Sequence, residues 1–441
     1  MRLANHHEIV KKIFDSVLQG ADPYALVEGQ TDQIFSTSRD GNYRKLLLIS
    51  FGKAASPMAR AVADATDTIL YRGIVLTKYG HLRTAGLPEK IHCYEAAHPV
   101  PDEAGVNATD QVIEALQTAD GQTLVVCLIS GGGSALLVAP HENITLDEKQ
   151  QVTQLLLKAG ADIQELNTVR KHISRIKGGR LAEIAYPARV LSLILSDVIG
   201  DPPEVIASGP TSPDPTTFAD ALRIIRRYEL ADKIHEKALD ILVRGNRGEL
   251  PDTPKEGNPI FRKVENRIIG NNRKAMEMAK AEAAALGYPV VVLSSQLKGE
   301  ARDVGVSLAR KAIQWQRQRR EMDSGRICLI AGGETTVTVK GSGLGGRNME
   351  LALALAFALE LKETSGITLL SAGTDGTDGP TDAAGAIVDG ETLAKAAARG
   401  MDPEDYLNRN NSYSFFKAVG CLLMTGPTGT NVMDIQIILI P

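Results

Sequence analysis

The sequence is poor in cysteine: four residues in 441, with no CxxC spacing among Cys93, Cys127, Cys328 and Cys421. Cys127 and Cys328 lie inside apolar runs, so they read as buried reduced thiols and suit a reducing cytoplasm, the compartment expected here. The eight histidines show no HExxH or similar pairing, so no zinc is expected. Excess charge is lacking as well. Forty-nine Lys plus Arg against fifty-three Asp plus Glu leave a formal net charge of −4, so neither nucleic acid nor an anionic membrane is an expected partner. Any bound anion must be held by a local cluster of cations. No run of ~18 apolar residues escapes interruption by charge, so no membrane span is expected. The opening MRLANHHEIVKKIFDSVLQG has no unbroken apolar block of the signal-peptide kind. It places Ile9, Val10, Ile13, Phe14, Val17 and Leu18 on one helical face instead. There is no fixed-period repeat and no long low-complexity tract.

What the chain has in quantity is alternation. KLLLIS, TLVVCLIS and VLSLILS are continuous apolar runs ending in Ser, each followed by a Gly- or Asp-bearing turn and helix-like sequence. Such runs predict a parallel sheet covered on both faces, hence an α/β first half. The polar, Pro- and Gly-rich RGELPDTPKEGN, residues 247–258, predicts a linker between a domain of residues 1–246 and one of residues 259–441. Beyond it PVVVLSS, RICLIAGGE and ITLLSAGTDG alternate with helical segments, so the second domain is also α/β. Ligands of open α/β sheets bind outside the carboxyl ends of the strands, and the polar motifs cluster there.

Ser130, Gly131, Gly132, Gly133 and Ser134 follow TLVVCLI and suit either a tight turn or an anion cradle of backbone amides. A Walker A loop is excluded, because Gly52-Lys53 is followed by Ala54. Lys53 and Arg347 each stand where a helix should begin, a position that suits a cation only when an anion lies near. NTVRKHISRIKGGRLA, residues 167–182, reads by itself as a solvated basic helix face. Its SxxK pair, Ser174 and Lys177, lacks the SDN and KTG elements of acylating enzymes. Asp197 ends an apolar strand, where it could take a hydroxyl proton, hold Mg²⁺ or cap a helix. Gly341, Gly343 and Gly346 form a GxGxxG, but the preceding TTVTV is polar and alternating, and Asp375 comes later than a dinucleotide site requires. Asp375, Asp378 and Asp382 stand among glycines without the EF-hand pattern, as a capped loop or a metal–nucleotide element.

Amides, displaced cations and carboxylates at several strand ends make up the set that phosphoryl transfer uses. At these motifs the sequence resembles the type II glycerate kinases, a two-domain family whose C-terminal part is the MOFRL domain. The resemblance runs through FGKAASPMA, SGGGSALL, NTVRKHISRIKGGRLA, SDVIGDPPEVIASGPT, GGETTVTV, GLGGRNMELALA and SAGTDGTDGPTDAAGA to TGPTGTNVMDIQIILI. It implies a Rossmann-like three-layer N-terminal domain with a mostly parallel sheet, a smaller α/β C-terminal domain and an active site in the interdomain cleft. It further implies ATP and Mg²⁺ as cofactors and D-glycerate as substrate, with 2-phosphoglycerate as the favoured product and a homodimer left open. The catalytic residues it implies are Lys53, to offset charge on the transferring group, Asp197, to position or deprotonate the hydroxyl, and Arg347, to grip the substrate carboxylate. Phosphate or nucleotide contacts fall to Ser130, Gly131, Gly132, Gly133, Ser134, Lys171, Gly333, Glu334, Gly345, Gly346 and Asp375, and Mg²⁺ to Asp197, Glu334 or Asp378. Three positions depart from the family pattern: Met349, Asn411 and Met433 stand where Gln, Asp and Asn are common. The competing readings are an NAD(P)H-dependent hydroxypyruvate reductase, supported by the GxGxxG, and a non-catalytic nucleotide- or sugar-acid-binding regulator.

Overall fold

In the computed structural model, which describes residues 3–66, 68–322, 325–360 and 366–441, the chain forms two compact units. One comprises residues 23–269, the other residues 1–22 together with 270–441.

The larger unit carries strands β1 (Lys45–Phe51), β2 (Leu70–Lys78), β3 (Ile91–Ala96), β4 (Thr123–Ile129), β5 (Arg189–Leu195) and β6 (Val264–Gly270). They lie in the order β3-β2-β1-β4-β5-β6, and β1 to β5 pair in parallel. All seven residues of β4 are buried, as a strand covered on both faces requires. On one face Leu47, Ile49, Phe51, Val125 and Cys127 pack with Val112 and Leu116 of the helix Glu103–Gln117. The alternate positions Leu46 and Leu48 are buried too, and Ser50 on their side donates to the Ala55 carbonyl of the helix Ala55–Thr66 at 2.8 Å. The helices Leu146–Lys158, Ile163–His172, Phe218–Arg227 and Glu236–Asn246 build a second, all-helical core around Leu156, Val169, Leu222 and Ile241. Strand order reverses between β1 and β4, so the switch point of the sheet lies between the ends of those two strands.

The smaller unit has a mixed sheet of β7 (Val290–Leu297), β8 (Ile327–Gly333), β9 (Thr368–Gly373), β10 (Gly385–Val388), β11 (Leu422–Leu423) and β12 (Asp434–Ile440). The order is β11-β10-β9-β12-β8-β7, with β12 antiparallel to both β8 and β9 and β7 parallel to β8. Ile438 and Ile440 face a core shared with the helices Ala301–Glu321 and Arg347–Glu360. Because side chains alternate along a strand, Asp434 and Gln436 point to that same side.

The division differs from the expected boundary in two places. The helix Leu3–Gly20 belongs to the smaller unit: Ile9, Val10, Ile13, Phe14 and Val17 are buried, His7 meets Asp389 at 2.7 Å and Lys12 meets Glu282 at 2.9 Å. Its amphipathic face needed a partner, and periodicity cannot say which sheet supplies it. The expected linker is bound to the larger unit. Thr253 donates to Asp214 at 2.9 Å, and Asp214 N–H donates to the Pro254 carbonyl at 3.0 Å. All four cysteines are free thiols, and burial pushes Cys127 and Cys328 up to about 12.

Candidate functional site

The ends of β1 and β4 are in register, Phe51 opposite Ile129, so the residues that follow them meet at the switch point. Lys53 N–H donates to the Gly131 carbonyl at 2.8 Å and Ser130 N–H to the Phe51 carbonyl at 3.1 Å. Ser130 Oγ accepts from Ala54 N–H at 3.1 Å. Gly52 has φ of +119°, and a Cβ there would lie 2.2 Å from Ser130 Oγ; only glycine lets the two turns touch. Gly132 is left-handed, with φ of +83°, and the space a side chain would fill lies 3.4 Å from Lys53 Cγ and 3.0 Å from His98 Cδ2. His98, just past β3, was missed by sequence reasoning, because IHCYEA lacks the continuous apolar run that marks the central strands.

The turn closes through the N–H groups of Gly133, Ala135, Leu136 and Leu137; those of Gly131, Gly132 and Ser134 take no part in closing it. Behind it the Lys177 ammonium donates to the Ser134 carbonyl at 2.7 Å and the Leu137 carbonyl at 3.3 Å. Burial, with Lys149 and Arg170 adding repulsion, holds that amine well below its usual range. Ser134 Oγ lies 2.5 Å from Ser208 Oγ, which donates to Asn167 Oδ1 at 3.1 Å. Ala207, Ser208 and Gly209 are consecutive left-handed residues, φ +51°, +63° and +61°. Two non-glycine residues so placed cost free energy, and strain of this kind gathers at ligand sites.

Asp197 is partly buried in a loop beyond β5, and the next helical residues are Ile206–Ser208, so it caps no helix. Lys171 leaves the phosphate-binding set: it is 3% exposed and pairs with the buried Asp214 at 3.2 Å. The basic run is therefore not a solvated face. Lys171 and Lys177 are internal, and Arg175 reaches Asp110 at 2.7 Å. Ser174 donates to the Ala139 carbonyl at 3.1 Å, and the Lys177 ammonium is spent on carbonyls, so the SxxK spacing makes no dyad.

In the smaller unit Asp434 pairs with Gly333 on one side and Gly373 on the other, which brings the ends of β8 and β9 to the start of β12. Arg347 enters from the head of its helix. Nε donates to Asp434 Oδ2 at 2.6 Å, Nη2 to Asp434 Oδ1 at 2.9 Å, and Nη1 to Glu334 Oε1 at 2.6 Å. The anion that a cation at this helix start requires is thus largely the protein's own. Burial acts to lower the Arg347 pKa, and Asp434 and Glu334 outweigh it, so the net direction is upward. Burial pushes the Asp434 carboxyl up against the opposing pull of Arg347. Asp434 was quoted in the terminal motif but not singled out, because its partner lies 87 positions away. The expected grip of Arg347 on a substrate carboxylate changes accordingly: the two-bond Nε/Nη2 edge belongs to Asp434.

Asp378 caps the Arg347 helix, accepting from Asn348 N–H at 3.0 Å and Met349 N–H at 2.8 Å. Burial raises its carboxyl to about 7 against those two bonds. Gly346 leaves it room, since a Cβ there would lie 2.3 Å from Asp378 Cγ. Asp375 accepts from Thr377 N–H at 3.1 Å within its own loop.

The GxGxxG loop is packed on protein. Cβ atoms at Gly341 and Gly343 would come within 2.3 Å of the Arg409 carbonyl oxygen and 2.4 Å of Asn411 Cβ, and one at Gly345 within 2.3 Å of Ser412 Oγ. Asn410 Oδ1 accepts from Lys340 and Gly341 N–H at 2.8 and 3.0 Å, and Asn411 Oδ1 from Leu344 N–H at 3.1 Å. These glycines serve close backbone approach, which accounts for the motif without a dinucleotide. Gly333 likewise fits tightly, its absent Cβ 2.3 Å from Leu297 N.

Among the described residues no group of three or more His, Cys, Asp or Glu has the arrangement of a metal cage. Mg²⁺ typically takes one or two carboxylates plus phosphates and water. The partly buried Asp197 and the 43% exposed Glu334 side chain fit that role. Asp378, with both oxygens on backbone amides, does not. No helix among the described residues is long and apolar enough to cross a membrane.

Two α/β units, one Rossmann-ordered with a cation and glycine turn at its switch point, define a two-unit α/β protein. Residues 9–243 match the family described as a domain of unknown function, DUF4147, and residues 327–434 match the MOFRL family. D-glycerate 2-kinase of Thermotoga maritima is 45% identical over 399 residues, 90% of this chain and 91% of that protein. A protein of Agrobacterium vitis provisionally named a hydroxypyruvate reductase is 43% identical over 435 residues, 98% of this chain and 94% of that one. The crystal structure of a glycerate kinase from Thermotoga maritima superposes with a TM-score of 0.88 at 41% identity, covering 99% of this chain and 100% of that one. The chain belongs to the type II glycerate kinase family.

Proposed function

We propose that the protein transfers the γ-phosphoryl group of ATP, bound with Mg²⁺, to the 2-hydroxyl of D-glycerate. The observation that carries this reading is the join at the switch point, where Lys53 is bonded through its backbone to the SGGGS turn. Phosphoryl transfer depends on positioning and charge stabilisation, and that join offers both. The amides of Gly131, Gly132 and Ser134 hold phosphate oxygens, and Lys53 offsets charge that develops on the transferring group. Asp197 accepts the proton of the attacking hydroxyl or orients that hydroxyl. In the smaller unit Glu334 and Asp375 serve the metal–nucleotide end. Arg347, fixed by Asp434, keeps two of its five N–H donors beyond its three bonds for an anionic oxygen. Mg²⁺, when bound, neutralises phosphate charge.

The assay is purified protein with ATP, Mg²⁺ and D-glycerate, coupled to enolase, which consumes 2-phosphoglycerate and not 3-phosphoglycerate. Signal without added mutase supports the reading. Signal only with mutase moves the product to the 3-position. Oxidation of NADH by hydroxypyruvate without ATP consumption overturns it in favour of the reductase.

A further inference from the structure

With the two-bond edge of Arg347 held by Asp434, the carboxylate of a hydroxy-acid substrate needs another partner. Arg170 lies in the last turn of the helix Ile163–His172 and is partly buried. Among the described residues no carboxylate, carbonyl or hydroxyl pairs with its guanidinium. Its charged neighbours make matters worse. The charge acting on Lys149 is Arg170, and those acting on Lys177 are Lys149 and Arg170, all of them positive. Both lysines are already committed to backbone carbonyls, Lys149 to those of Arg170 and Ile173 at 3.3 and 3.2 Å and Lys177 to that of Ser134. A partly buried guanidinium in a cationic neighbourhood without a counter-ion is unfavourable and becomes favourable when an anion arrives.

The location connects this cation to the candidate site. Asn167 is three residues before Arg170 and so on the same helical face. Its Oδ1 takes the Ser208 hydroxyl, which lies 2.5 Å from Ser134 Oγ in the glycine turn. We propose that Arg170 binds the carboxylate of the acceptor substrate as a two-bond fork beside the SGGGS turn. A planar guanidinium with uncommitted donors matches the two coplanar oxygens of a carboxylate. The phosphates have Lys53 and the turn amides. The identity of the acid rests on the phosphotransfer reading above; the anion site does not.

The test is calorimetric binding of D-glycerate, of its uncharged amide glyceramide and of ATP to wild type, Arg170→Gln and Arg170→Lys, with the unliganded Tm of each. Loss of a charge-assisted fork predicts D-glycerate affinity on the order of 100-fold weaker in Arg170→Gln and about 10-fold weaker in Arg170→Lys. Glyceramide and ATP affinities should stay within about twofold. Removing an unpaired cation should leave the Tm of Arg170→Gln equal or higher, which a purely structural arginine would not. Unchanged D-glycerate affinity overturns the proposal, as does loss of ATP affinity in its place, or a lowered Tm with all affinities falling together. A wild type that binds D-glycerate but forms no ATP-dependent product defeats the phosphotransfer reading and leaves this site standing; a wild type that binds no hydroxy acid defeats this site.

Discussion

Asp434 holds Arg347 through two parallel bonds, Nε to Oδ2 at 2.6 Å and Nη2 to Oδ1 at 2.9 Å. Asp434 is 1% exposed, so under the proposed function its influence on the reaction runs through the arginine it aims. Asp434→Asn should lower kcat/KM by ~10- to 100-fold, as loss of one charge-assisted fork does. Arg347→Ala should lower it further, and the double variant should be no worse than Arg347→Ala alone. Steady-state kinetics on the four proteins measure this coupling; additive losses would mean that the two residues act separately.

Lys53 is fixed at the switch point through its backbone, so its side chain can be removed without undoing the turn. Lys53→Ala should reduce kcat by at least ~100-fold, the scale of one preorganised electrostatic contact, with Tm within ~2 °C, because the backbone bond to the turn remains. Kinetics beside a thermal melt check both halves, and near-normal turnover would remove Lys53 from the proposed mechanism.

Lys149 gives a pH dependence of definite sign. Burial, with repulsion from Arg170, lowers its pKa from 10.5 to about 7. Between those values the unfolded chain carries a proton that the folded one has lost, so acidification favours unfolding and stability rises with pH. Below about pH 7 both states are charged, and the destabilisation is fully present. Melts of wild type and Lys149→Met from pH 7 to 10 should show the wild-type Tm gaining on that of the variant as pH rises. A pH-independent difference would show that the amine keeps its proton throughout.

Met433 has φ of +70°, a left-handed conformation that Asn, the residue the family resemblance leads one to expect here, tolerates well. Met433→Asn should keep or raise the Tm. Met433→Val, β-branched in the same backbone, should lose ~1–3 kcal/mol by denaturant titration. Equal stability in the two variants would place the constraint in side-chain packing.

The sequence by itself determined the strands that are apolar throughout. KLLLISF, TLVVCLI and RVLSLIL carry enough Leu, Ile and Val to be buried on both faces, and each is a strand. The glycine turn at SGGGS and the place of Lys53 just before a helix were legible, because glycine freedom and a helix start are local properties, readable from neighbours in the chain.

What only the tertiary structure decided are pairings across long separations and the burial they produce. Asp434 meets Arg347 across 87 residues and Lys171 meets Asp214 across 43. Gly341 and Gly343 of the GxGxxG make room for residues 409–411 and Gly346 for Asp378, and the first helix joins the unit built mainly from the C-terminal half. A charged side chain reads the same in sequence whether solvent, a carboxylate or nothing lies opposite it. Packing supplied carboxylates for Arg347 and Lys171 and, among the described residues, none for Arg170.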